Sequence, residues 1–241
     1  MEAEVSVDAD RDVPPKRGLM EELAAVGLCT DTLAALGPAV AVTRVVQYAP
    51  GDTLFHHGQD VETLYVVRNG RIKLLSYVES GRARIVRLHN RGSILGLNGL
   101  VGEVHTHTAV AIDEVHVFQM PMSVIKPLKE EDPDTYCQLL ERWHEYLNMA
   151  DTWILDFSTG VIRGRVARLI RFLVETDEDT GPKEVVLLTV EEMAEILGVT
   201  PESVSRIMAD LKRKKILQVV EHGVHDQYRC DISALAREAE Q

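Results

Sequence analysis

The chain has 241 residues, of which 45% are apolar and 27% are charged, and its formal net charge at pH 7 is −12. This length accommodates two domains with sizeable cores, and no stretch comes near the roughly 20 apolar residues that a membrane-spanning helix needs. We therefore expect no membrane partner. Because the acidic N-terminus lacks the apolar core of a signal peptide, we expect a cytoplasmic location. The net negative charge disfavours nucleic-acid binding only if the positive charges are evenly spread along the chain.

The N-terminal half is predicted to begin with a disordered segment and to continue as a β-rich domain. Residues 1–18 are acidic and polar, which predicts disorder. Apolar residues at helical spacing follow from Met20 to Leu36, and the helix should end before Gly37-Pro38. Short β-rich runs separated by turn signals come next, and they are Val42–Tyr48, Thr63–Val67, Ile72–Val78, Arg84–Leu88, Thr106–Ala111 and Val115–Met120.

The strongest turn signal in this region is Asn69-Gly70. Both central residues of a type I′ turn need positive φ angles, so we interpret this dipeptide as the turn of a hairpin. Many short strands with regular turns indicate an antiparallel β-roll, similar to a jelly roll, over residues 19–132. No Ser/His/Asp set or carboxylate pair points to catalysis, so we do not expect an enzyme.

After Pro133 the apolar spacing becomes helical and predicts a helix of about six turns with one apolar stripe. The stripe suits a two-stranded coiled coil between two chains, or else it packs on the β domain; we favour the dimer. Gly160 and Gly164 interrupt the helix and predict a hinge, so residues 133–175 should hold the dimerisation helix and the hinge. The predicted interface side chains are Tyr136, Leu140, Trp143, Leu147, Ala150, Ile154 and Phe157.

Two short helices with a tight turn are predicted near the C-terminus. Thr189 and Glu192 have the spacing of a capping box, which begins a helix. Gly198 suits the left-handed residue that ends it. Thr200 and Pro201 then suit the N-cap and first residue of a second helix. This arrangement is typical of a helix-turn-helix.

A β wing is expected after the second helix. Ile216–Val220 and Tyr228–Ile232 are β-rich runs around a polar turn. Residues 176–241 therefore predict a winged helix-turn-helix domain. His222 and His225 in the wing are too few to form a metal site.

The outward face of the second helix carries side chains that can read DNA. Arginine can donate two hydrogen bonds to guanine, and glutamate can accept one from the cytosine amino group. Glu202 and Arg206, four residues apart, can also pair with each other. The basic run Lys212–Lys215, opposed only by Asp210, suits phosphate contacts; a solvated helix end is the alternative. The predicted DNA-binding residues are Thr200, Glu202, Ser203, Ser205, Arg206, Lys212 and Arg213.

The order of these elements, the glycines from Gly51 to Gly96 and the run Thr200–Arg206 resemble the Crp/Fnr family over residues 20 to 235. The resemblance implies an α+β fold with an N-terminal antiparallel β-roll sensor domain, a long dimerisation helix and a C-terminal winged helix-turn-helix. Its DNA-reading motif is similar to Glu-x-x-Ser-Arg of the fumarate–nitrate branch. It implies a homodimer on a palindromic double-stranded operator with TTGAT-like half-sites, and contact with RNA polymerase if the protein is an activator.

In the sensor domain the sequence departs from the family pattern. In members that bind cyclic AMP, a glutamate holds the ribose and an Arg-Ser pair holds the phosphate; Leu97, His105 and Thr106 stand at those positions here. Leucine accepts no hydrogen bond and a neutral histidine supplies no fixed charge, so cyclic AMP is disfavoured. The expected effector pocket consists of Gly96, Leu97, Asn98, His105, Thr106, His107, Leu147, Ala150 and Asp151.

The effector and any cofactor remain unknown. The three cysteines are far apart and form no four-thiolate set. The resemblance also implies no iron–sulfur cluster, because the N-terminal cysteines of the fumarate–nitrate branch are missing. Haem stays an alternative, although Asn98 stands at one haem-histidine position of the family. His105 and His107 should share one face of a strand near it.

An effector-gated regulator is therefore the leading hypothesis, and three alternatives stay open. A constitutive regulator would have its pocket filled by Leu97. A cyclic-nucleotide-binding regulatory subunit would need the missing phosphate arginine and no helix-turn-helix. A jelly-roll enzyme would need three or four convergent metal ligands.

Overall fold

The computed structural model describes residues 16–25, 41–78, 81–177 and 183–240. The chain divides into two units. The first comprises residues up to 76 together with 88–147, and the second comprises 77–87 together with the chain from 148 onward. Within these described ranges no helix combines the length and the apolar character needed to cross a membrane.

Helix α1 spans Lys16–Ala25 and packs its apolar side on the first unit. Leu19 and Leu23, one turn apart, are buried in the core. The predicted disorder of residues 1–18 is therefore wrong at 16–18, because these residues begin a helix that buries two leucines. The rest of that segment and the predicted helix beyond Ala25 lie outside the described residues.

Two four-stranded sheets form the predicted β-roll. Their strand orders are β1-β8-β3-β6 and β2-β7-β4-β5. The pairs β1–β8, β3–β8, β3–β6, β2–β7 and β4–β7 are antiparallel. The strands are β1 (Arg44–Tyr48), β2 (Thr53–Phe55), β3 (Thr63–Asn69), β4 (Ile72–Tyr77), β5 (Ala83–His89), β6 (Ile94–Leu95), β7 (Thr108–Ala111) and β8 (Val115–Pro121).

The central strands β3 and β8 bury both of their faces. Val66 and Phe118 belong to a core cluster that also receives α1, whereas Val67 and Val117 belong to a second cluster. Successive side chains of a strand point to opposite faces, so one strand pair supplies both clusters.

The Asn69-Gly70 turn does not form the predicted hairpin. Gly70 has the expected positive φ of 83°, but β3 and β4 lie in different sheets, where β3 pairs with β6 and β8 and β4 with β7 and β5. A Cβ at Gly70 would collide with the carbonyl oxygen of Glu114. The dipeptide therefore signals a tight turn correctly, while the partners of each strand are chosen by distant residues.

Several short elements were not predicted. A 3-10 helix, Leu97–Val101, lies between Gly96 and Gly102, which both have positive φ angles. Strand β7 begins at Thr108, so the predicted strand was two residues too long at its start. Helices α2 (Met122–Ile125) and α3 (Leu128–Glu131) lead into the long helix.

Helix α4, Pro133–Ser158, has 26 residues and confirms the predicted long helix. Helix α5 spans Ile162–Thr176. Gly160 between them has a φ of 82°, so a break occurs there as predicted. Gly164 was wrongly placed in the hinge, because it is buried inside α5.

Two arginines of α5 hold the end of α4. Arg168 donates from Nε to the carbonyl oxygen of Asp156 at 2.8 Å and from Nη2 to that of Thr159 at 2.7 Å. Arg165 donates from Nε to the carbonyl oxygen of Phe157 at 2.8 Å. The last carbonyls of a helix have no intrahelical partner, so these bonds stabilise the break.

The second unit ends in the predicted winged helix-turn-helix. Its sheet has the order β10-β11-β9, and the third strand and the last helix were not predicted. The elements are β9 (Glu184–Val186), α6 (Val190–Leu197), α7 (Pro201–Arg213), β10 (Leu217–Glu221), β11 (Gln227–Cys230) and α8 (Ile232–Ala239). The linker residues 178–182 lie outside the described residues.

Candidate nucleic-acid interface

The capping box that begins α6 is formed as predicted. Thr189 Oγ1 accepts from the backbone N–H of Glu192 at 3.2 Å, and Glu192 Oε2 accepts from that of Thr189 at 3.1 Å. Two of the N–H groups left free at the helix start are thereby satisfied. Glu192 Oε2 also lies 3.0 Å from His225 Nε2, so the same carboxylate attaches the wing to α6.

Two guanidinium groups, neither of them predicted, hold the other end of α6. Arg84 donates to the carbonyl oxygen of Ile196 at 3.2 Å, and Arg165 donates to that of Leu197. Burial, followed by the charge of Arg84, lowers the pKa of Arg165. Positive charge near a helix C-terminus is stabilising. The hydrogen bonds to these carbonyl oxygens therefore offset part of the repulsion between the charges of Arg84 and Arg165.

The turn between α6 and α7 requires its glycine. Gly198 has a φ of 64°, as predicted for a left-handed cap. A Cβ there would also collide with the guanidinium group of Arg84. The conformation and the close approach therefore both exclude a side chain.

Helix α7 starts with the predicted cap and buries one face. Thr200 Oγ1 accepts from the backbone N–H of Ser203 at 3.4 Å, and Pro201 is the first helical residue. Val204, Met208 and Leu211 are buried. This spacing leaves the opposite face of the helix in solvent.

The exposed face of α7 presents Glu202, Ser205 and Arg206. Among the described residues, Arg206 has no hydrogen-bond or ion-pair partner, so its predicted pairing with Glu202 is not formed. The backbone N–H of Glu202 itself and the hydroxyl of Thr200 lower the pKa of the Glu202 carboxyl, which keeps it ionised. The helix start therefore favours the ionised carboxylate, and the guanidinium is available.

The basic run after Arg206 is partly neutralised by residues distant in sequence. Lys214 Nζ lies 3.2 Å from a carboxylate oxygen of Glu238 on α8 and 3.5 Å from one of Asp210. Asp210 also pairs with Arg163 at 2.7 Å and with Arg213. Lys214 therefore forms ion pairs within the chain. The prediction that only Asp210 opposes the basic run was wrong, because Glu238 opposes it as well.

Lys212 lies on an aromatic ring of the wing. Its Nζ is 4.9 Å from the ring centroid of Tyr228 on β11. Lys212 and Lys215 are exposed, and Lys215, which follows the C-cap residue Lys214, has a positive φ of 58°. Exposed positive charge therefore lies at the junction of α7 and the wing as well as at Arg206.

The comparisons with known proteins agree with this geometry. Residues 45–132 match the cyclic nucleotide-binding domain, and residues 167–238 match the Crp-like helix-turn-helix domain. The chain belongs to the Crp/Fnr family. This Crp/Fnr member is a transcription regulator. It combines a domain of the cyclic nucleotide-binding type, which binds effectors in this family, with a DNA-binding helix-turn-helix.

Several known regulators resemble this Crp/Fnr protein over most of its length. The transcriptional regulator LdrP of Thermus thermophilus is 26% identical over 197 residues, 80% of this chain and 95% of that protein. The fumarate and nitrate reduction regulatory protein of Vibrio cholerae is 26% identical over 172 residues, 70% of this chain and 69% of that protein. These relatives are regulators and not enzymes.

Solved structures show the same fold. FixK2 from Bradyrhizobium japonicum superposes with a TM-score of 0.72 at 20% identity, over 81% of this chain and 96% of that one. A CRP-family transcriptional regulator from Thermus thermophilus gives 0.67 at 26% identity, with the same coverage.

The structure places the predicted sensor residues of this Crp/Fnr regulator on a loop and a 3-10 helix. Leu97 is 2% exposed, and the Asn98 side chain donates to the carbonyl oxygen of Val104 at 2.6 Å. Gly96 caps the 3-10 helix with a φ of 89°. Leu97 is therefore packed in the core, and the Asn98 side chain is engaged in a hydrogen bond within the chain.

His105 and His107 do not share a strand face, which corrects the prediction. Both precede β7. His105 is 3% exposed and stacks on Phe55, whereas His107 Nδ1 meets the exposed Thr106 hydroxyl at 3.0 Å. Among the described residues, no group of three or more metal-ligating side chains converges.

The two ends of the predicted interface stripe on α4 are buried by other parts of the same chain. Tyr136 is buried and donates its hydroxyl proton to the carbonyl oxygen of Leu100 at 2.6 Å. Phe157 is buried against the rings of Trp153 and Phe172, at 4.8 and 5.7 Å between centroids. Tyr136 and Phe157 are therefore engaged within the chain and were wrongly assigned to a contact between chains.

The middle of the stripe remains accessible. Leu140 and Trp143 pack partly on the core of the first unit. Leu147 and Ile154 are more than half exposed, as are Met149 and Leu155. Of the other predicted effector residues on α4, Ala150 is half-buried and Asp151 is exposed.

Proposed function

We propose that this regulator binds a palindromic operator as a homodimer and inserts α7 of each chain into the major groove. The observation that carries the proposal is the exposed Arg206 guanidinium, which has no partner among the described residues and shares the open face of α7 with Glu202. Recognition helices of this class contact base edges through their N-terminal residues. Arg206 donates to guanine, Glu202 accepts from cytosine, and Ser205 lies between them on the same face.

The neighbouring residues contact the phosphate backbone. Thr200 and Ser203 lie at the start of α7, where free N–H groups and hydroxyls suit phosphates. Lys212 and Arg213 supply positive charge at the other end of the helix. Because Arg213 pairs with Asp210, we expect Lys212 to contribute more than Arg213.

The two chains pair along α4. Leu147, Ala150 and Ile154 are spaced by three and four residues, and Leu147 and Ile154 are exposed. This spacing places them on one side of the helix, as in a coiled-coil seam. Half-sites one helical turn apart, about 34 Å, then meet the two copies of α7.

The operator proposed for this arrangement has TTGAT-like half-sites. Titration of a fluorescent duplex with an inverted TTGAT repeat should show binding of two chains per duplex at nanomolar concentration. A duplex with the same composition and shuffled half-sites should bind orders of magnitude more weakly. Equal affinity for both duplexes, or one chain per duplex, would refute the proposal. RNA polymerase is a partner if the operator lies at an activated promoter.

A small effector in the β-roll controls the DNA-bound state by favouring one of two conformations. Cyclic AMP does not fit the sensor residues, because Leu97 is apolar and buried and burial lowers the pKa of His105 to about 4, which leaves it neutral. Haem fits poorly as well, since Asn98 is held by Val104 and is no iron ligand. The absorption spectrum of the purified protein tests this directly: we expect no Soret band, and a Soret band would contradict the proposal.

A further inference from the structure

A cavity of about 360 Å³ opens in the first unit between the β2–β3 loop and the segment that leads into β7. We call it the His105 cavity. Part of its wall is aromatic: the Phe55 and His105 rings stack with centroids 3.6 Å apart and planes 11° apart, and the Tyr65 ring lies 5.6 Å from that of Phe55. Its size lies in the range of small-ligand sites.

The backbone of His105 is fixed at the cavity wall. Its N–H donates to the carbonyl oxygen of Gln59 at 2.8 Å, and its carbonyl oxygen accepts from the N–H of Gly58 at 2.7 Å. The stacked ring of Phe55 covers one face of the imidazole. The ring is therefore held in place before any ligand arrives.

The imidazole of His105 lacks a polar partner. It is 3% exposed, and neither ring nitrogen has a hydrogen-bond partner in the part of the chain that the structure describes. Neither ring nitrogen is completely buried, so a ligand can form a hydrogen bond with them. Burial lowers the pKa of His105 to about 4, so at neutral pH it offers one N–H donor and one acceptor nitrogen.

The charge at the cavity is negative. The exposed carboxylates of Asp60 and Glu62 line it together with His105, and no lysine or arginine of the described ranges does. Neither carboxylate has an ion pair or side-chain hydrogen bond among the described residues. The field of Glu62 reaches the aromatic wall, where it adds to burial and raises the pKa of Tyr65. The cavity therefore repels anions and attracts a cation.

We propose that the His105 cavity binds a small, flat organic cation, such as an aromatic amine or amidine. Asp60 and Glu62 accept hydrogen bonds from its charged end, and its apolar ring packs against Phe55 and Tyr65 as one aromatic ring packs on another. His105 supplies one further hydrogen bond through a ring nitrogen. The inference rests on the proposed effector control and gives the effector its chemical class.

Three probes of nearly the same shape and different charge test the proposal. Benzamidine is a cation, benzamide is neutral and benzoate is an anion, and calorimetric titration of the full-length protein measures the affinity of each. We expect benzamidine to bind, benzamide to bind about tenfold more weakly and benzoate not to bind. No binding of benzamidine at millimolar concentration, equal binding of all three probes, or preferred binding of benzoate would overturn the proposal.

Variants locate the site. His105→Phe keeps a ring on Phe55 and removes both nitrogens, and Glu62→Gln removes one charge; each should weaken benzamidine binding about fivefold or more. Glu130→Gln, an exposed carboxylate on α3 that does not line the cavity, should leave it unchanged. Equal affinity of all these variants, or displacement of benzamidine by Zn²⁺ at one equivalent, would contradict the assignment.

Operator titration of the same samples, with and without benzamidine, separates this inference from the proposed function. Intact operator binding with no benzamidine binding overturns the cavity assignment alone. Benzamidine binding with no operator binding in either condition supports the cavity and overturns the proposed regulator of a TTGAT-like operator.

Discussion

At the scale of single residues, His105 combines features that its position in the sequence did not reveal. The family alignment placed His105 at a phosphate-binding position, and the sequence predicted that it shares a strand face with His107. In the structure it lies in a loop and stacks on Phe55, which is 50 residues earlier in the chain. Its low pKa follows from this burial.

Burial of His105 predicts an acid-sensitive first unit. The unfolded chain takes up a proton at the ordinary pKa of 6.5, while the folded protein resists until about 4. The unfolded state therefore binds more protons across this window, and stability falls as the pH is lowered from about 6.5 to 4. Urea unfolding at both pH values should show the wild type losing about 2 kcal/mol more than His105→Phe. Equal losses would mean that the imidazole does not titrate abnormally.

At the scale of elements, Gly198 connects the two helices of the DNA-binding motif. Replacing it with alanine forces a Cβ into a left-handed residue at a cost of about 1–2 kcal/mol, and the Cβ also meets the guanidinium of Arg84. Gly198→Ala should therefore destabilise the second unit by more than Gly51→Ala destabilises the first. Gly51 also has a positive φ, of 89°, but open space around it.

A thermal denaturation series checks this difference. Adding Arg84→Ala to Gly198→Ala should recover part of the lost stability, because the collision is removed and only the backbone strain remains. If the two substitutions are additive, Arg84 does not constrain the turn.

Local signals explain which elements could be predicted from the sequence. The capping box at Thr189, the glycine at 198 and the N-cap at Thr200 depend on residues within three positions, and all three are formed as predicted. Hydrophobic periodicity likewise located α4. Such features are encoded by neighbours in sequence, so no knowledge of the fold is needed.

Contacts between distant segments could not be predicted. Nothing in the sequence near α6 shows that Arg84 and Arg165 hold its last carbonyls, or that Glu238 neutralises Lys214. The stripe on α4 has a uniform apolar pattern, yet Tyr136 is buried by its own chain while Ile154 is exposed. These outcomes depend on what packs beside each residue.

At the scale of the whole molecule, the proposed operator binding requires two chains. Ile154→Glu places a charge on the exposed part of the α4 stripe, where it should not disturb folding but should repel its symmetry mate. Light scattering should show a monomer, and operator affinity should fall at least a hundredfold because only one half-site is held at a time. Thr152→Glu, on the opposite side of α4, should remain dimeric; monomers in both variants, or in neither, would argue against this seam.

The central claim is that α7 reads bases through Arg206, and a double-mutant cycle with the DNA tests it most directly. Wild type and Arg206→Ala are titrated against the TTGAT-type operator and against one whose contacted G·C pair is replaced in both half-sites. We predict that Arg206→Ala loses about 1–3 kcal/mol of binding free energy per half-site on the first duplex and almost nothing on the second. The same loss on both duplexes would show that Arg206 contacts only the backbone and would contradict the account.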